Sequence, residues 1–193
     1  MRAPSGIFDP PAEKNGERTR TRPTSVGAHE ISEDEMKLDH LMDFKARLYS
    51  PVLDVGKGPF GTRYVYNAAE GTFEGPRLKG RVLPGGGDMP LADASGAMRL
   101  DIRVTLETDD GAFIYMQNQG VWRSDPSRVA PQEGEAADFG DMYIVSTPRF
   151  ETGDERYAWL NDFVYLAEGK AEMLEDDGYL AEVTWRIYTV AND

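Results

Sequence analysis

Leu100-Asp-Ile-Arg-Val-Thr-Leu-Glu-Thr-Asp-Asp-Gly-Ala-Phe-Ile-Tyr115 decides the fold of this chain. Leu100, Ile102, Val104 and Leu106 alternate with Asp101, Arg103, Thr105 and Glu107, the period-two signature of a strand with one apolar face. The run stops at Asp109-Asp110-Gly111, where Asp and Gly tolerate the positive φ that tight β-turns require, and an apolar stretch resumes at Phe113. Met98 to Thr108 and Phe113 to Trp122 are therefore expected to pair antiparallel.

Outward from this hairpin the same period recurs. Phe44, Ala46 and Leu48 alternate with Lys45, Arg47 and Tyr49, and extended runs follow at Arg63 to Asn67, Thr72 to Leu83, Met142 to Ser146, Ala158 to Ala167 and Tyr179 to Val190. Gly75, Gly80 and Gly85-Gly86-Gly87 interrupt apolar stretches, and glycine weakens a strand unless the backbone must bend or be approached closely. About eight antiparallel strands with glycine bends predict an all-β fold, a closed up-and-down barrel of about eight or more strands, because closure removes exposed edges. A two-sheet sandwich is the alternative. Ser124 to Gly140, with Pro126 and Pro131, reads as a lid or a short helix. Residues 1–36 are proline-rich and polar and read as a flexible arm, with Ile7-Phe8 as an apolar pair that suits wrapping a partner subunit; 37–193 form the barrel domain.

Composition excludes several function classes. The 34 acidic residues against 21 basic ones give a formal charge of -13, which repels nucleic acid and anionic membranes, and the sequence has no compensating basic patch. Without cysteine there is no disulfide framework, thiolate nucleophile or thiolate metal site. No apolar run approaches the roughly 20 residues of a spanning helix, and the N-terminus lacks a signal-peptide core, so a soluble, cytoplasmic protein is expected. His29 and His40 lie in or beside the arm, and neither a metal-ligand spacing, a nucleophile elbow nor a phosphate loop occurs. No metal and no cofactor are expected; chemistry must come from Asp, Glu, Tyr, Lys and Arg.

The alternation at Leu100 to Glu107 permits two placements. Either Asp101 and Arg103 belong to a solvated outer face, or they point into a polar lumen where carboxylate and guanidinium hold each other charged and meet a ligand. Arg77 and Lys79 share a strand face and can receive a ligand carboxylate, or they form a cationic edge. Tyr115, Asn118 and Trp122 on one strand, and Tyr157, Trp159 and Asn161 at alternating positions, read as core or as an aromatic-binding cavity with polar tips.

Gly71-Thr-Phe-Glu-Gly-Pro-Arg-Leu-Lys-Gly80, Val82-Leu-Pro-Gly-Gly-Gly-Asp88, Leu100-Asp-Ile-Arg103, Asp110-Gly-Ala-Phe-Ile-Tyr115 and Pro148-Arg-Phe-Glu-Thr-Gly153 with Tyr157-Ala-Trp-Leu-Asn161 resemble the DUF3237 family, also called UPF0311. The resemblance runs from about Leu41 to Val190. It implies a small closed barrel, a homodimer and no bound cofactor. Some relatives act in breakdown of lignin-derived aromatic dimers, as cofactor-free decarboxylases that open a phenylcoumaran ring to a stilbene. Met89 replaces an aromatic, the region of Val145 lacks a usual Arg, and Tyr66 stands where Pro is common; these departures reshape the cavity.

Three functions are therefore set against each other. The first is a cofactor-independent lyase on a carboxylated aromatic, with Arg77 or Arg103 binding the carboxylate and Lys79 beside them. In it Asp101 or Glu74 transfers the proton, Tyr115 and Tyr157 bond phenol or ether oxygens, and Asn118, Trp122, Trp159 and Asn161 line the cavity. The second is a lipocalin-like carrier of an aromatic or polyketide-like molecule. The third is a structural dimer module with a solid barrel.

Overall fold

The computed structural model describes residues 36–123, 138–176 and 178–191. The strands are β1 (Lys37–Tyr49), β2 (Leu53–Gly58), β3 (Gly61–Glu74), β4 (Lys79–Val82), β5 (Gly87–Asp88), β6 (Leu91–Ala92), β7 (Met98–Thr108), β8 (Phe113–Arg123), β9 (Tyr143–Glu151), β10 (Tyr165–Asp176) and β11 (Tyr179–Ala191). They form one antiparallel sheet in the order β1-β11-β10-β9-β8-β7-β4-β3-β2, closed by pairing of β1 with β3. β4, β5 and β6 all lie between β3 and β7 and make one interrupted stave, so the barrel has eight staves and β2 projects from it as a hairpin with β3. Chain neighbours are barrel neighbours throughout, an up-and-down closure rather than a sandwich.

Closure is tight where strands coil. A Cβ on Gly71 would lie 2.1 Å from the Lys45 carbonyl oxygen, and one on Gly80 would lie 2.1 Å from that of Glu107. Only a residue without a side chain lets neighbouring backbones approach this closely.

Two irregularities shape the wall, and the first changes which side chains face inward. Along β3, Phe73 and Gly71 are matched to Phe44 and Ala46 of β1, but the register slips by one between Ala46 and Leu48, and Leu48 pairs with Ala68. Ala68 and Ala69 are both buried at this bulge, so the inward set changes from odd to even residues and Tyr66 turns into the barrel. In the interrupted stave the break falls at Leu83 to Gly86, where Pro84 has no N–H to donate and Gly85 takes φ +102°. Beyond the break, Asp88 stands opposite Tyr66 on one side and Ile102 on the other.

The interior is apolar. Phe44, Phe73, Val82, Leu100, Ile102, Val104, Leu106, Ile114, Met116, Ile144, Phe150, Tyr165, Trp185 and Ile187 form its buried cluster. Alternation is strict on β7 and β8, and all ten pairs from Met98↔Trp122 to Glu107↔Phe113 are in register, as the Asp-Asp-Gly turn predicts. The strand expected over Ala158 to Ala167 begins later: Ala158–Asp162 is a 3-10 helix, and β10 starts at Tyr165 and runs on to Asp176. Asp154 N-terminal to it accepts the Tyr157 N–H through its carbonyl at 3.0 Å, a turn that cannot continue as a strand, and Leu160 drops into the core. The 124–137 part of the expected lid lies outside the described residues, as do 1–35 of the arm.

Replacing Gly71 by Ala is expected to destabilise the fold by about 2 kcal/mol, because a backbone carbonyl and not a flexible side chain must move. Gly153→Ala, where the Cβ meets open space, should be nearly neutral. Urea unfolding of the two variants checks this; equal midpoints would refute the role of close approach.

Candidate active site

The two ends of the barrel differ. At the end formed by the β7–β8 turn, polar groups are paired with each other. Arg156 donates to Asp110 Oδ2 and to Asp154 Oδ2, both at 2.7 Å, and the Tyr157 hydroxyl donates to Asp110 Oδ1 at 3.1 Å. The Thr108 hydroxyl and then Tyr157 and Arg156 hold the Asp110 carboxyl below the usual carboxylate range. Asn161 donates to the Thr152 carbonyl at 3.0 Å and accepts its N–H at 2.9 Å. The Arg77 guanidinium stacks 3.7 Å above the Trp159 ring, and the Tyr165 hydroxyl donates to the Leu160 carbonyl at 3.0 Å. With Leu160 and Leu78 buried beneath it, this network fastens the 3-10 helix over the barrel end.

Towards the other end the inward face carries polar groups inside an apolar wall. Tyr66, Asp88, Ile102, Asn118 and Pro148 follow each other across β3, β5, β7, β8 and β9 as directly paired residues, so all five side chains face the interior. Ser146, two residues from Pro148, is paired with Gly120 and Ala167. Nearer the rim come Tyr64, Met98, Leu100 and Trp122, whose indole N–H points to Met142 Sδ at 3.4 Å. Trp185 packs its six-membered ring across Gly169 towards Ile144.

Asp88 is the member whose pKa is raised furthest towards neutrality. Its Oδ1 accepts the Asp101 N–H at 2.9 Å, which favours the carboxylate, as does the Arg63 charge. Burial outweighs both, and the carboxyl is pushed up to about 7. Tyr66 opposite it is pushed up to about 12, first by burial and then by the Asp88 charge, and remains a neutral hydrogen-bond donor. Arg63 itself lies outside and donates to the Met89 carbonyl. Among the described inward-facing residues there is no Lys or Arg.

The structure brings together only part of the set expected from sequence. Asn118 and Trp122 are interior, as the aromatic-cavity reading requires. Asp101 and Arg103 are on the outer face, bonded to each other at 3.1 Å, so the lumen placement is corrected in favour of the solvated one. Tyr115 shares that outer face, one register step from Arg103. Glu74 and Lys79 form an exposed ion pair at 3.4 Å in an open outer-wall depression of about 580 Å³ that also holds Arg81 and Glu107. Arg77, Tyr157, Trp159 and Asn161 belong to the closed end, remote in the strand register from Asn118. Asp88 and Tyr66 were missed: alternation carried back from Phe73 through the Ala68-Ala69 bulge sends Tyr66 outward, and Asp88 lies past the end of the expected Thr72 to Leu83 run, although it keeps the inward parity of Val82.

The sequence profile described as "Protein of unknown function (DUF3237)" matches residues 36–190. A UPF0311 protein of Rhodopseudomonas palustris is 32% identical over 117 residues, covering 60% of this chain and 76% of the relative. The crystal structure of a beta-barrel like protein from Acinetobacter baumannii superposes with a TM-score of 0.67 at 33% identity, over 84% of this chain and 100% of that one. An enzyme from Penicillium herquei, at 22% identity and a TM-score of 0.50 over 79% of this chain and 94% of its own, shares the fold. Among the described residues no helix is long and apolar enough to cross a membrane, and no group of three or more His, Cys, Asp or Glu is placed to hold a metal ion.

The raised Asp88 acidity has a stability consequence. The folded state holds this proton more tightly than the unfolded chain between about pH 4 and about 7, so the carboxyl costs stability progressively as pH rises through that window. Asp88→Asn, which keeps the oxygen facing the Asp101 N–H, should raise Tm more at pH 8 than at pH 5. An equal change at both would show an ordinary carboxylate.

Proposed function

The chain belongs to the DUF3237 family, and we propose that it is a cofactor-independent lyase acting on an oxygen-bearing aromatic compound bound towards the barrel end where Tyr66, Asp88 and Trp122 stand. The observation that carries this reading is the inward row Tyr66–Asp88–Ile102–Asn118 inside a wall of Trp, Tyr, Met and aliphatic side chains. A carboxyl poised near neutrality is half protonated and can give or take a proton without a large energetic penalty. Tyr66 supplies a neutral donor to a developing oxyanion, and the apolar wall keeps water from competing.

The substrate implied by the family resemblance, a phenylcoumaran carboxylate, fits this chemistry. As its C–COO⁻ bond breaks and CO₂ leaves, the electron pair forms the stilbene double bond and the ring carbon–oxygen bond opens. The phenoxide released takes the proton of Asp88, which bulk solvent then restores. With no inward cation among the described residues, the substrate carboxylate is poorly compensated in the apolar site while the transition state spreads its charge over the rings. Asp88 replaces Asp101 and Glu74 as the proposed proton donor, and no role in the site is assigned to Arg77, Arg103, Lys79, Tyr115, Tyr157, Trp159 or Asn161.

A carrier of aromatic molecules is the second reading, favoured by the buried polar groups of Asn118 and Ser146 that meet no partner among the described residues. Incubation with phenylcoumaran carboxylates, following CO₂ release and stilbene absorbance without added cofactor, separates the two. The lyase reading expects turnover that declines as pH rises above about 7, where Asp88 loses its proton, and a loss of about 100-fold or more in Asp88→Asn. Recovery of intact acid, or full activity in Asp88→Asn, would contradict it.

A further inference from the structure

Asn118 is fully buried and Ser146 nearly so, and neither the amide oxygen and nitrogen of the one nor the hydroxyl oxygen of the other has a hydrogen-bond partner among the described residues. A buried polar group left unmatched costs about 1–3 kcal/mol, and three such atoms on adjoining strands concentrate that cost at one place. The two side chains are diagonal neighbours, since Asn118 is paired with Pro148 and Ser146 with Gly120. Diagonal positions lie about 7–8 Å apart, a gap that two side chains and one ligand oxygen can close. Gly120, lacking a side chain, puts nothing between them.

The chemistry of the three atoms selects the ligand group. Asn118 Oδ1 only accepts, Nδ2 only donates, and Ser146 Oγ does both. A carboxylate brings no donor for Oδ1, and no inward Lys or Arg is present among the described residues to offset its charge. An ether accepts but cannot donate, which leaves Oδ1 unmatched. A hydroxyl donates to Oδ1 and accepts from Nδ2 or Oγ.

We infer that Asn118 and Ser146 form a recognition site for an uncharged ring hydroxyl, held deep in the barrel on the far side of Ile102 from Asp88. Asp88 and Asn118 both flank Ile102, so their strands stand about 10 Å apart, and a molecule reaching from one to the other has the length of two rings. This inference rests on the proposed site and adds to it the end of the substrate that is held rather than the end that reacts.

The test uses the full chain and two unreactive probes, 4-phenylphenol and its methyl ether, titrated against tryptophan fluorescence. The wild type is expected to bind the phenol about tenfold or more tightly than the ether. Asn118→Leu should abolish that preference while retaining the ether, and Ser146→Ala should reduce it; thermal melts confirm that each variant is folded. Equal binding or no binding of the two probes by the wild type, or an undiminished preference in both variants, overturns the inference. Because neither probe reacts, an absence of turnover on phenylcoumarans leaves this result intact, and a lost preference leaves the lyase reading standing.

Discussion

Closure of eight staves around so narrow an interior depends on backbone meeting backbone without side chains between. At Gly71, Gly75 and Gly80 a Cβ would fall 1.9–2.1 Å from a carbonyl oxygen of the neighbouring strand, closer than any van der Waals contact allows. These positions let the sheet coil until β3 reaches β1, and the pairing that results removes the edges on which an open sheet would aggregate. The coiling is not uniform. It needs a bulge at Ala68-Ala69, which turns Tyr66 inward, and a break at Pro84-Gly85, which shifts the pairing with β7 by two residues and keeps Asp88 on the same inward face as Val82.

An apolar barrel that admits a carboxyl changes its acidity. Asp88 loses hydration on entering the interior, and neither the Asp101 N–H nor the outer Arg63 charge restores what is lost, so it titrates near neutrality. The same wall keeps Tyr66 protonated and encloses Asn118 and Ser146, whose polar side-chain atoms have no hydrogen-bond partner among the described residues. The other barrel end satisfies its polar atoms internally: Arg156, Asp110, Asp154, Tyr157, Asn161 and Thr152 bond to one another, which holds the 3-10 helix in place. One end is fastened by internal hydrogen bonds, and towards the other Asp88, Asn118 and Ser146 stand inside an apolar wall.

The hairpin of β7 and β8 was legible because alternation continues unbroken through a turn with its own sequence signature, and Asn118 and Trp122 follow from the same parity. The barrel was legible from glycines set among apolar runs. Asp101 and Arg103 were ambiguous because alternation fixes two faces but not which of them is inside; the apolar set went inward, as burial of Leu100 to Leu106 demands. Tyr66 was hidden because it lies beyond a one-residue slip, and a period-two reading propagated through a bulge inverts every later residue; Asp88 keeps the parity of Val82 but lies past the end of the expected Thr72 to Leu83 run. The Tyr157 to Asn161 stretch misled for a related reason: its apolar positions suit a strand, but Thr152 and Asp154 bend the backbone into turns that only the folded chain displays.

The account stands on the interior position and acidity of one carboxyl. Titration of the Asp88 side-chain carbon by carbon-13 NMR, assigned by comparison with Asp88→Asn, measures it directly. A midpoint near 7 is predicted. A midpoint at the ordinary aspartate value of about 4 would place the group in water and contradict the site.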